Sequence, residues 1–127
     1  MIMNNDGKKN NSEVGFSFKS GKDFENWLSE NNTKSNGIWV RIYKKDTKVE
    51  AVIGSELIDV LLCYGWITGP ARKGNESYIL WWVCPRRRNS IWSKINIGHA
   101  ERLTKDKRMK PSGIAKIEKA KADGRWE

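Results

Sequence analysis

The chain is poor in the residues that most chemistry and most covalent scaffolds need. It has two cysteines and one histidine in 127 residues. Two cysteines are too few for a disulfide scaffold. Cys63 and Cys84 lie far apart with no CxxC spacing and His99 as the sole histidine, which argues against zinc. The expectation is two reduced, buried thiols in a cytoplasmic protein, with no metal and no cofactor. No apolar run approaches the ~18 residues that a membrane span requires. Hydrophobic residues are also sparse, at 38 %, against 31 % charged, and mean hydropathy is -0.72. Such a composition fits a soluble protein with a small core and a charged surface. A length of 127 residues supports one domain, and a core that needs no metal or disulfide to hold it.

Acidic charge is scarce, and only in one half. Residues 1–71 carry 9 basic and 9 acidic side chains, whereas residues 72–127 carry 15 basic and 6 acidic ones. The whole excess of +9 therefore belongs to the second half. A one-sided field of this kind attracts nucleic acid, anionic lipid or phosphorylated ligands, unless it serves only as a solvated face. The first residues, MIMNNDGKKNNSEVG, lack an apolar stretch and read as a disordered tail over residues 1–17 rather than a secretory signal.

Along the chain, Ser20 and Asp23 form a capping box before Phe24, Trp27 and Leu28, which predicts a helix over Gly21–Asn31. Ile38 to Lys44 alternates, with Ile38, Val40 and Ile42 on one face and Trp39, Arg41 and Tyr43 on the other. That is a strand with an apolar face and an aromatic-basic face. Val49–Ile53 reads as a second short strand. Ser55 would cap a buried helix that Gly65 ends. Trp66–Thr68 reads as a strand broken by Gly69-Pro70, Ala71–Ser77 as a basic loop, and Tyr78–Cys84 as a central or aromatic-faced edge strand ended by Pro85. Ser90 or Ser93 would cap a helix with Trp92, Ile95, His99 and Leu103 on one face. The last helix starts near Pro111 and turns Ile114, Ile117 and Ala120 inward. The expected fold is α+β: a single domain over residues 18–127 with about four helices and a small antiparallel or mixed sheet.

Several blocks occur together and in order. They are Ile38 to Lys45, the Cys63-Tyr64-Gly65-Trp66-Ile67 turn, Pro85-Arg86-Arg87-Arg88-Asn89-Ser90-Ile91-Trp92-Ser93-Lys94-Ile95-Asn96, Lys110-Pro111-Ser112-Gly113, and Gly124-Arg125-Trp126. In these the chain resembles the YdeI/OmpD-associated family, also called the bacteriocin-protection family, from about Phe18 to Trp126. The resemblance implies a link to stress resistance against bacteriocins and cationic peptides, and it brings no reaction with it. Two departures stand out. Thr68 occupies a position that is usually aspartate in that family. The sequence ends at Glu127, where many members continue into a further helical segment.

Three sets of residues compete for a function. The first is the block Arg86, Arg87, Arg88, Ser90, Trp92, Ser93 and Asn96, with three arginines just before a helix N-terminus. Free backbone N–H groups and guanidinium forks both suit phosphate there. The alternative is structural, with serines that only cap and an arginine that pairs with Asp59 or Glu56. The second set is the seven tryptophans at 27, 39, 66, 81, 82, 92 and 126, which either fill the core or line a cleft where bases stack. Trp66, Lys44 and Arg72 would extend the anion site. The third is catalysis, for which His99 is the lone imidazole on an apolar helix face, and Gly65-x-x-x-Gly69 lacks the phosphate-loop pattern. The reading reached is a binding module, monomeric or homodimeric, that presents a basic Arg/Trp surface to nucleic acid or a phosphorylated small molecule. Two alternatives remain. One is a small-metabolite enzyme with a Trp-lined pocket bearing Lys44, Arg86 and Ser93; the other is a protein-interaction module.

Overall fold

The structure, a computed structural model, describes residues 15–126. The element order is α1 (Gly21–Asn31), β1 (Ile38–Tyr43), α2 (Gly54–Tyr64), β2 (Trp66–Lys73), β3 (Tyr78–Pro85), α3 (Lys94–Lys105) and α4 (Pro111–Ala122). The three strands form one antiparallel sheet in the order β1-β3-β2, so the apolar Tyr78–Pro85 strand is central. With four helices on three strands, the fold is α+β, as the pattern predicts.

Helix α2 is the hub because it is apolar nearly all round. Leu57, Val60, Leu61, Leu62, Cys63 and Tyr64 are buried, and the helix touches α1, α3, α4 and β2. Its entry differs from expectation by two residues. Ile53, not Ser55, is the cap, and the Glu56 carboxylate accepts the Ile53 N–H at 3.4 Å. It ends as expected at Gly65, whose φ of 78° a side chain would strain. Ser20 caps α1 by accepting from the Asp23 N–H at 3.2 Å.

Four expectations fail, each for a local reason. Val49–Ile53 is not a strand: its N–H groups donate to Thr47 Oγ1, to the Phe18 carbonyl (from Val52, at 2.8 Å) and to Glu56 rather than to a ladder, and Ile53 is 57 % exposed. Gly69-Pro70 does not end β2. That strand is at the sheet edge, where a bulge between Thr68 and Ala71 absorbs the proline, and pairing resumes to Lys73. The inward face of α3 is Ile97, Ala100 and Leu103, while Ile95 is 73 % exposed and Trp92 precedes the helix. Ile114 of α4 is 40 % exposed, leaving Ile117 and Ala120 inside. The expected tail boundary also moves: Phe16 pairs with Val40 beside β1, and residues 1–14 lie outside the described chain.

One face of the sheet packs on the core, and on the other face Tyr78 and Leu80 are buried as well. Ile38, Val40 and Val83 point into the core with Trp66. Cross-strand register places Trp39 opposite Trp82, Arg41 opposite Leu80 and Tyr43 opposite Tyr78 on the other face. That outer face, and the turn where β3 runs into Arg86, carry everything that follows.

Candidate anion-binding site

The arginine block divides at its first residue. Arg86 is 3 % exposed, whereas Arg87 and Arg88 lie at the surface. The Arg86 N–H donates to the Gly65 carbonyl at 2.9 Å, which ties the end of β3 to the α2 cap. Its guanidinium lies 3.9 Å from the centre of the Trp92 ring, and Trp92 in turn packs on Trp126 at 5.1 Å. Arg86 Nη1 donates to the Ser90 hydroxyl at 2.7 Å. Its Nε and Nη2 are buried and have no hydrogen-bond partner among the described residues. Burial, followed by the like charge of Arg125, lowers its pKa to about 10, so it stays charged at neutral pH.

The structural alternative for this block is therefore not the one expected. Asp59 pairs with Arg102 at 2.8 Å and Arg108 at 3.9 Å, not with the arginine block. Arg102 also reaches Nδ1 of half-buried His99 at 3.1 Å, which leaves that imidazole at the protein surface rather than in the core.

Two cavities flank the Arg86–Ser90 turn. A groove of about 670 Å³ runs between the start of β2 and the turn, edged by Thr68, Gly69, Trp82, Arg87, Arg88 and Ser90. Behind the turn lies a cavity of about 170 Å³ lined by Arg86, Arg87, Arg88, Lys116, Lys119 and Arg125. A third space, about 40 Å³, lies among Thr68, Asn96, Arg86 and the apolar side chains of α2.

The groove opens onto the outer sheet face. Trp82 packs on Trp39 with ring centres 5.3 Å apart, and Arg72 lies 4.4 Å from the Trp39 ring centre. Arg41 lies 4.5 Å from the Tyr78 ring centre, and Tyr78 meets Tyr43 at 5.3 Å. Trp39, Trp82 and Tyr43 are half-exposed. The Trp82 indole is held in place by two glycines: a Cβ on Gly69 would come within 2.8 Å of its Cδ1, and one on Gly37 within 2.9 Å of its Cε2.

The expected site residues thus fall into five groups. Arg87, Arg88 and Ser90 line the groove, and Arg86 stands behind them. Arg72 belongs to the sheet face. Trp92 and Trp66 are corrections: both are buried, Trp92 beneath Arg86 and Trp66 in the core against Trp27 at 6.0 Å. An indole buries too much apolar area to be left at a surface when a small core can take it. Ser93 is the α3 cap, accepting from the Asn96 N–H at 3.2 Å, and Asn96 lines only the smallest cavity. Lys44 sits beside Ser77 at the far end of β3, so Lys44, Arg86 and Ser93 share no described cavity. Ser93→Ala is expected to cost about 1 kcal/mol in urea unfolding, through loss of the cap, and to leave anion binding unchanged.

Three groups escape the sequence pattern. Lys116, Lys119 and Arg125 come to the Arg86 turn although it lies about thirty residues earlier in the chain. The Gly124-Arg125-Trp126 block was the one available signal. Cys84 is half-buried rather than buried, and Cys63 is buried, which raises its thiol pKa to about 11; both are free. Among the described residues, no helix is long and apolar enough to cross a membrane, and no cluster of His, Cys, Asp and Glu could hold a metal.

No curated protein and no solved structure matches the chain. A family model does, over residues 16–116, which spans the sheet, the Arg86 turn, α3 and the start of α4. The chain belongs to the family described as Domain of unknown function (DUF8412).

Proposed function

We propose that the protein is a binding module for single-stranded nucleic acid, of the bacteriocin-protection type that its Cys63–Ile67 and Pro85–Asn96 blocks resemble. The observation that carries this reading is the continuity of aromatic and basic side chains across the outer sheet face. Trp39 and Trp82 offer fixed, half-exposed indoles, Arg72 lies against one of them, and the surface leads into the groove edged by Arg87 and Arg88. Indole faces stack on any base, and guanidinium groups meet the phosphates between bases. A sheet face of three strands suits splayed bases better than the grooves of a duplex, into which a protein must insert an element.

The test is fluorescence anisotropy of labelled single-stranded oligonucleotides over a salt series. The affinity should fall steeply with salt, since each phosphate contact on a single strand contributes a log–log slope of about -0.7. Trp82→Ala should weaken binding by roughly 5- to 150-fold, the equivalent of one lost base stack. Binding at low salt that ignores both salt and Trp82 would refute the reading, as would no binding at all.

A further inference from the structure

Ser90 holds two guanidinium groups side by side. Its hydroxyl accepts from Arg86 Nη1 at 2.7 Å, and its carbonyl accepts from Arg125 Nη1 at 2.7 Å. Both arginines keep donors in reserve: Nε and Nη2 of Arg86 and Nε of Arg125 are buried without a hydrogen-bond partner among the described residues. The Lys116 ammonium joins them from α4, on the Arg86 carbonyl at 2.9 Å. With Arg87, Arg88 and Lys119, six cationic side chains enclose about 170 Å³. Among the described residues one carboxylate answers them: Asp123 meets Arg125 at 3.0 Å and Lys119 at 3.9 Å. None forms an ion pair with Arg86, Arg87, Arg88 or Lys116.

Buried donors without partners are costly, and a buried charge without a counter-ion more so. The 40 Å³ space beside Arg86 has room for one water. A water can take up hydrogen bonds, but it brings no negative charge. We infer that the cavity behind the Arg86–Ser90 turn binds a dianionic phosphomonoester, supplied by a free nucleotide or by the end of a nucleic-acid strand. Arginine forks match the oxygens of such a group, and an excess of cations favours two negative charges over the single charge of a diester. The cavity is about a quarter the volume of the groove, so it admits a phosphate and not a strand. Arg87 and Arg88 line both spaces, so a strand in the groove could present its terminal phosphate there. The inference rests on buried Arg86 and partly buried Arg125 and not on the strand reading.

The experiment is calorimetric titration and thermal melting of the full chain at constant ionic strength. The probes are inorganic phosphate, AMP, and one oligonucleotide with and without a 5′-phosphate, at about pH 7.5, above the second phosphate pKa near ~6. Phosphate and AMP should raise the melting temperature where chloride does not. Arg86→Met should lose roughly tenfold or more in AMP affinity, and without phosphate it should melt no lower than the parent, because it removes an uncompensated charge. Lys119→Glu, on an exposed side chain that cannot unfold the core, should weaken AMP binding as well. Absence of a phosphate-specific shift overturns the inference, as does parental AMP affinity in Arg86→Met. Should Arg86→Met not fold, parental affinity in Lys119→Glu overturns it alone. A preference for the phosphorylated oligonucleotide assigns the group to strand ends, and AMP binding without that preference assigns it to free nucleotides. If AMP binds and oligonucleotides do not, the pocket stands and the strand reading falls. If oligonucleotides bind Arg86→Met as they bind the parent and AMP binds neither, the reverse holds.

Discussion

Gly113→Ala is expected to unfold the protein or to lower its stability by about 3 kcal/mol or more, in the range reserved for steric conflict inside a core. Gly113 lies in the first turn of α4, where the helix crosses the end of α2. A Cβ there would strike the Cys63 carbonyl oxygen, and would come within 2.7 Å of the Cys63 carbonyl carbon and 2.8 Å of the Leu62 oxygen. These are backbone atoms of the hub helix, so no side-chain rotation relieves the clash. Alanine gains about 1 kcal/mol over glycine in intrinsic helix propensity, which is too little to reverse the sign. Gly98→Ala is the matched control. It sits inside α3 with nothing within 4 Å of the new Cβ, so propensity alone acts. It should gain roughly 0.5–1 kcal/mol, a rise of a few degrees in thermal melting. Equal melting temperatures for the two variants would show that α4 does not approach α2 this closely.

Arg87→Ala combined with Arg88→Ala is expected to lower single-strand affinity at low salt by roughly 10- to 100-fold while leaving stability within about 0.5 kcal/mol of the parent. Both side chains edge the groove, both are exposed, and neither pairs with a carboxylate among the described residues. Removing two phosphate contacts should also flatten the log–log salt dependence by about 1.4. Anisotropy titrations at several salt concentrations give both quantities, and a melt gives the third. Unchanged affinity with unchanged slope would remove these arginines from any nucleic-acid surface. A large fall in melting temperature would mean that they hold the turn together instead.

Much of this molecule follows from local sequence. Ser20 caps α1, Gly65 ends α2, and the alternation of Ile38 to Tyr43 makes a two-faced strand. Each is decided within one element by side-chain hydrogen bonding, a backbone angle or period-two burial. The misses are positional. The sequence suggests a stripe of Trp92, Ile95, His99 and Leu103 on α3, but of these packing against α2 keeps only Leu103 and adds Ile97 and Ala100. Gly69-Pro70 looked like a break because a sequence does not say which strand lies at an edge, where a bulge can carry a proline.

The sequence by itself determined the α+β class, the Ser20 and Gly65 caps, the aromatic-basic face of β1 and the concentration of positive charge after residue 71. These depend on neighbours along the chain. Only the tertiary structure decided that Arg86 turns inward while Arg87 and Arg88 turn out, and that Trp66 and Trp92 are buried while Trp39 and Trp82 stay half-exposed. It alone brought Arg125 and Lys116 to the Arg86–Ser90 turn. The physical reason is that burial and charge pairing are properties of space. An arginine's environment is set by whichever helix closes over it, and here that helix arrives some thirty residues later carrying more positive charge, with Asp123 past its end as the carboxylate that pairs with Lys119 and Arg125.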